Sequence, residues 1–265
     1  MLIKFRFFFP VVFSIVATSL SASQSNEQPE PSSAKEKEII NKFIKIASEP
    51  GGSFFSPPEG WMFSDLDNLP PRVKFMVVGK GKSLFRPSIN LATEKYSGTV
   101  NDYLKVVKNI NNTKGDSWKN LGTIDTLAGP ASLSQAETTT KWGEVRMMHL
   151  IASHKGVIHI MTAAALKEEF SQFYPEFFRA MQSFRFNKSA IEMVAEPSRR
   201  TMLEDTCSKL KNDRKTMNID AFRKDSWVPF KTTITEQFAD MGEEWEQALF
   251  MDLEEELFND FNTSS

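Results

Sequence analysis

Cysteine is nearly absent from this 265-residue chain, and Cys207 stands alone. An intramolecular disulfide and a cysteine-built metal site are therefore excluded, and the fold must be held by its core. Cys207 reads as a small buried hydrophobe on a helix, with a reactive or intermolecular thiol as the alternative. Positive charge is missing from one whole stretch. No Lys or Arg occurs from Thr232 to Ser265, which holds ten acids between Glu236 and Asp260. The chain has 32 basic and 34 acidic residues, so residues 1–231 carry 32 basic against 24 acidic and are net positive. A formal net charge of −2 gives no footprint for nucleic acid.

Catalytic signatures are also missing. No G-x-S-x-G elbow is present for a serine hydrolase, and no Asp-x-Asp-x-Asp-Gly loop for calcium. The run Glu254-Glu255-Glu256 reads as a solvated helix face. Val78-Gly79-Lys80-Gly81-Lys82-Ser83 ends like a phosphate loop, but Met76 stands where the first glycine belongs. The segment also joins two predicted strands rather than a strand and a helix, so it reads as a basic hairpin turn.

What is present begins with an export signal. Lys4 and Arg6 precede the apolar run Phe7 to Ala17, and Ser19, Ser21, Ala22 and Ser23 follow. The run is short for a membrane span, and no cysteine nearby could carry a lipid anchor. Cleavage is expected after Ala22 or Ser23, although Leu20 suits the first site poorly. An uncleaved anchor is the alternative. Both readings export the remainder, to the periplasm if the source is bacterial, with no membrane span once the signal is removed. The expected organisation is a signal over 1–23, a polar linker over 24–34, an α+β domain over 35–187, and a helical extension over 188–265.

Apolar spacing predicts a helix over Lys35 to Ser48, strands over Val73 to Val78 and Ser88 to Glu94, and a helix over Thr99 to Asn109. Asp116 to Ile124 shows no clear period. Three antiparallel strands follow, over Ala131 to Thr140, Glu144 to Ala152 and Val157 to Ala165. A helix over Lys167 to Ser183 buries Phe170, Phe173, Phe177, Phe178 and Met181, and Phe184-Arg185-Phe186 closes the domain. Further on, helices are expected over Ser198 to Lys215 and Thr232 to Phe261.

His149, His154 and His159 are the only histidines, and all lie on one predicted hairpin. A two-residue turn at Lys155-Gly156 would pair 152 with 159 and set His149 and His159 on opposite faces. A three-residue loop centred on His154 would put them on one face, as a weak two-ligand metal site at best. In the last helix, Phe238, Met241, Trp245, Leu249, Leu253, Leu257 and Phe261 recur every three or four residues. This stripe either packs within its own domain or forms a candidate partner-binding face, whose acids would favour a basic partner or the chain's own positive remainder.

Four segments carry a resemblance to a known group: Pro58-Glu59-Gly60-Trp61, Phe85-Arg86-Pro87-Ser88-Ile89-Asn90-Leu91, Gly129-Pro130-Ala131 with Lys155 to Ala163, and Phe170…Phe177…Ser183-Phe184-Arg185-Phe186. Their order over roughly residues 53–187 resembles the PsbP-like superfamily. That group includes the extrinsic protein of the oxygen-evolving complex, a Ran-binding nuclear import factor and DcrB-type bacterial envelope proteins. The resemblance implies an α-β-α sandwich around an antiparallel sheet and binding or assembly in place of catalysis; no cofactor is expected. An exported, non-catalytic protein that binds or helps assemble an envelope component is the expected function. A small-ligand or metal carrier and an unrecognised hydrolase are the alternatives.

Overall fold

The computed structural model describes residues 33–258. The proposed signal and most of the linker lie outside them, as does Phe261. The described chain divides into two compact units. One holds 33–47 and Ser53–Arg185, the other Ser48–Gly52 and 186–258.

The first unit is built on a seven-stranded antiparallel sheet. Its strands are β2 (Met62–Phe63), β3 (Val73–Val78), β4 (Ser88–Lys95), β5 (Ser117–Thr126), β6 (Gly129–Thr140), β7 (Gly143–His154) and β8 (Val157–Leu166), in the spatial order β2-β3-β4-β8-β7-β6-β5. A two-residue β1 (Ser53–Phe54) precedes them. Strand β8 sits centrally and is buried along nearly its whole length, as expected for a strand covered on both faces. Its residues alternate between the faces. Ile158 and Ile160 join Ile151 under α2 (Val100–Lys114), against Tyr103, Leu104 and Val107. Thr99 caps this helix by accepting from Asp102 N–H, and Gly115 ends it at φ 75.

The opposite face belongs to α1 (Ser33–Ser48) and α3 (Phe170–Gln182). Here Met161 of β8 lies opposite Leu91 of β4, which lies opposite Phe75 of β3. Phe75 meets Phe43 of α1 edge-on at 5.4 Å and stacks with Phe55 at 4.8 Å. The first unit is therefore the expected α+β sandwich, with helices on both faces of an antiparallel sheet.

The segment from Asp116 to Ile124, which lacks a legible period, is the long edge strand β5. A register shift between Asn120 and Gly122 breaks its alternation, and Ile124 is its one buried side chain.

Strand β9 (Arg185–Phe186) carries the chain into the second unit. That unit comprises α4 (Ala190–Met193), α5 (Pro197–Thr216), α6 (Ile219–Phe222), a π turn over Arg223–Trp227, α7 (Val228–Gln237) and α8 (Glu243–Phe258). Pro197 opens α5 at its first turn, where its missing N–H costs nothing. The single helix expected over Thr232 to Phe261 is corrected here to two. Helix α7 stops at Gln237, a 3-10 turn spans Ala239–Met241, and Gly242 turns the chain at φ 86 before α8 starts. Arg199 of α5 holds the break. It grips Asp240 through both terminal nitrogens at 2.9 and 2.7 Å and donates to the Gln237 carbonyl at 3.0 Å. That contact keeps the Asp240 carboxyl below its usual range.

Phe75 is fully buried at the meeting of β1, β3 and α1. Phe75→Ala should destabilise the sandwich by about 3–5 kcal/mol in urea unfolding. A loss below about 1 kcal/mol would show that this aromatic cluster is not its core.

Candidate functional site

The histidine question is settled by register. Lys155 and Gly156 both have positive φ, 48 and 74, the pattern of a two-residue type I′ turn. His154 pairs with Val157, Ala152 with His159 and His149 with Thr162. His149, two residues from Ile151, faces α2, while His159 faces the α1 and α3 side. His149 Nδ1 shares a hydrogen bond with Thr162 Oγ1 at 3.0 Å, and His159 Nδ1 with Ser53 Oγ at 2.8 Å. The sheet separates the two rings. Among the described residues no cluster of three or more His, Cys, Asp or Glu could hold a metal ion.

Register also builds a feature that no sequence period displays. Asn90 of β4 pairs with Thr162 of β8, Thr162 with His149 of β7, and His149 with Ser134 of β6. These four polar residues form one row across the α2 face. Ser134 and His149 are fully buried in it. Asn111 of α2 is also fully buried and donates from Nδ2 to the Val107 carbonyl at 2.8 Å. The row divides the α2 face into the isoleucine cluster and a second cluster of Ala136, Val145, Met147, Ala164 and Leu166. The row becomes visible only once the strands are aligned, because β4 and β6 carry other polar residues on the same face.

Two further carboxylates of the sandwich, buried Glu94 and partly buried Glu137, are held in structural contacts. Glu94 pairs with Arg72 at 3.2 Å and accepts from the Tyr103 hydroxyl at 2.8 Å. Burial, then the Glu94 charge, pushes the Tyr103 phenol upward. Glu137 bridges Arg146 at 2.7 Å and Lys167 at 3.0 Å, and the Lys167 contact leads in holding its carboxyl low.

Two of the resembling segments, Pro58 to Trp61 and Phe170 to Phe186, meet on one surface. Trp61, closing the turn Pro58-Glu59-Gly60-Trp61, packs edge-on against Phe173 and Phe177 of α3 at 6.2 and 6.0 Å. Its Nε1 donates to Glu176 Oε2 at 3.2 Å. Gly79 lies so close beneath the indole that a Cβ there would sit 2.8 Å from it. Ser183 accepts from Ser56 N–H at 2.7 Å, and Arg185 stacks over Phe54 at 4.7 Å. Between this turn and α3 runs an open groove of about 530 Å³, lined by Ser56, Pro57, Pro58 and Glu59 on one side and Glu176, Arg179 and Ala180 on the other. The glycine-lysine segment is the β3–β4 connection, as its flanking strands require.

In the second unit, Phe238, Trp245, Leu249, Leu253 and Leu257 are all buried within the unit's own core, and Met241 is partly buried against it. Phe238 stacks on Trp245 at 5.4 Å, and Trp245 Nε1 donates to the Ala190 carbonyl at 2.6 Å. The candidate partner-binding face is therefore taken up inside its unit, apart from Phe261, which lies outside the described residues. A partner could reach these side chains only if α8 left its core. Cys207 is buried on α5, and burial pushes its thiol up to about 11, so a thiolate is disfavoured.

No protein-family model matches the chain. No curated protein matches it in sequence. Solved structures do. The PsbP protein of the cyanobacterium Synechocystis is 12% identical, with 51% of this chain covering 87% of that one at a TM-score of 0.38. LpqN of Mycobacterium tuberculosis, described as involved in cell envelope biogenesis, is 12% identical, with 51% of this chain covering 83% of that one at 0.37. The Ran-binding protein Mog1p of Saccharomyces cerevisiae is 17% identical, with 51% covering 90% at 0.34. These include members of the group that the sequence motifs resemble. Likeness at this level concerns the arrangement of the sandwich and says nothing of activity.

Burial lowers both His149 and His159 to about 4 from 6.5. The unfolded chain therefore takes up protons first as pH falls below about 6.5, and stability should decline from there until about 4, then level off. Each ring would contribute about 3 kcal/mol over that window. Urea midpoints measured across it should fall with pH, and His149→Gln should remove part of the slope. A flat profile would contradict the burial of both neutral rings.

Proposed function

We propose that this chain is an exported, non-catalytic PsbP-like protein that binds or helps assemble another component of the cell envelope. The observation that carries the reading is the groove between Pro57-Pro58 and α3. It is open, polar and charged, and two of the four segments that resemble the PsbP-like group, Pro58 to Trp61 and Phe170 to Phe186, form its walls. Exposed Arg179 offers a guanidinium beside two prolines and two carboxylates, a surface suited to an extended segment of another protein. Buried Glu94, His149 and His159 are held by Arg72, Tyr103, Thr162 and Ser53, which supports binding over acid–base work for these groups.

Export rests on the basic, apolar and small-residue pattern of residues 1–23, with 24–34 as linker, 35–187 as the binding domain and 188–265 as its helical extension. No helix among the described residues is long and apolar enough to cross a membrane.

Two measurements test the reading. Cell fractionation with intact-mass analysis should find the native protein outside the cytoplasm and starting near Ser23 or Gln24. A full-length cytoplasmic product would overturn export. Cross-linking in cells should then recover one specific envelope partner with the wild-type chain and about tenfold less with Arg179→Glu, at unchanged thermal stability. Equal recovery from both would remove the groove from the binding surface, and no specific partner would sink the assembly role.

A further inference from the structure

The end of the sheet where β3 turns into β4 carries a second surface. The pairs Ser88 with Ala164, Val145 with Leu166 and Thr140 with Gly143 bring the β3–β4 loop and the β6–β7 turn to this same end. The loop, residues 79–87, contains Lys80, Lys82 and Arg86, and the turn contains Lys141, with no acid in either. Phe85 and Trp142 join the two, their rings 5.8 Å apart over the Ala136–Leu166 cluster, and Lys141 lies 4.4 Å from the Trp142 ring centre. The loop is tightly closed. Gly79 N–H donates to the Pro87 carbonyl at 2.8 Å, and a Cβ at Gly81 would lie 2.8 Å from the Pro87 ring. From this frame Leu84 projects with 89% of its surface exposed. Two of the four neighbouring acids are committed to an ion pair. Glu144 and Glu137 pair with Lys167, and Glu169 is buried beneath Gly81, which leaves Glu168 exposed at the base.

We propose that this tip docks on an anionic lipid surface, with Leu84 entering the interface, Trp142 at headgroup depth, and Lys80, Lys82, Arg86 and Lys141 over the lipid phosphates. A lone exposed leucine is ordinary on a protein surface. Set on a closed loop among four cations and beside a half-buried tryptophan, it supplies both signals that reversible membrane attachment needs, an apolar insertion and a basic patch. A single projecting side chain is too small for the apolar centre of a protein interface, which favours lipid over an acidic protein. Each cation near an anionic bilayer strengthens binding about fivefold.

The full chain would be mixed with phosphatidylcholine vesicles, with and without phosphatidylglycerol, and sedimented. Binding should require the anionic lipid and weaken as salt rises above about 0.1 M. The double variant Lys80→Glu, Lys82→Glu and the single variant Leu84→Asp should each cut it at least about tenfold. All three positions are exposed, so thermal unfolding should be unchanged, and either variant suffices if the other misfolds. Binding that persists in both variants would belong to the apolar N-terminal segment and overturn the proposal. Equal binding to neutral vesicles would overturn it too, as would binding to soluble polyglutamate with none to vesicles. Arg179→Glu should leave vesicle binding intact, so this inference and the partner-groove reading can fail separately.

Discussion

The two-residue turn at Lys155-Gly156 fixes the register of the central hairpin, and the sandwich depends on it. Side chains alternate strictly along β7 and β8, so one residue more or less in that turn would exchange their faces. The observed turn sends Ile151, Ile158 and Ile160 to α2, and Met161 with its neighbours to the Phe75 cluster. It also sets His149 and His159 on opposite sides of the sheet. Positive φ at both turn residues is what type I′ geometry demands, and glycine at 156 meets that demand without strain.

Much of this was legible in the residues. Strands β6, β7 and β8 announce themselves by apolar content between turn signals, and β3 and α3 by period. Strand β5 did not, because an edge strand buries little. Its bulge at Asn120 to Gly122 erased the remaining alternation. The C-terminal stripe misleads for a different reason. Phe238, Met241 and Trp245 keep helical spacing in sequence, yet Gly242 reorients the chain between them. Spacing counts residues and does not register a break that happens to preserve the count. Burial of that stripe depended on partners such as Leu203, Cys207 and Leu210 of α5, which no pattern within the helix itself could supply.

The sites were less legible than the elements. The row Asn90, Thr162, His149, Ser134 comes from four strands, and the groove from a turn and a helix more than a hundred residues apart. Some sequence motifs nonetheless lie at the groove. The Pro58 to Trp61 turn, the Gly79 approach and the Ser183 to Phe186 segment are what a shallow charged groove needs to keep its shape, and their residues are spent on holding one another. The motifs thus describe the scaffold of a surface, while exposed residues on it such as Arg179 belong to no motif.

The strand order has a consequence in time. Strand β4 is complete by Lys95, but its neighbour β8 ends at Leu166, after a helix and three further strands. A chain made from its N-terminus therefore holds the β3–β4 hairpin with one edge open until the centre of the sheet arrives last. Contacts this distant in sequence close slowly. A polypeptide that cannot finish its sheet until more than half its length has emerged leaves that edge unpaired through most of its synthesis, exposed to pairing with other chains.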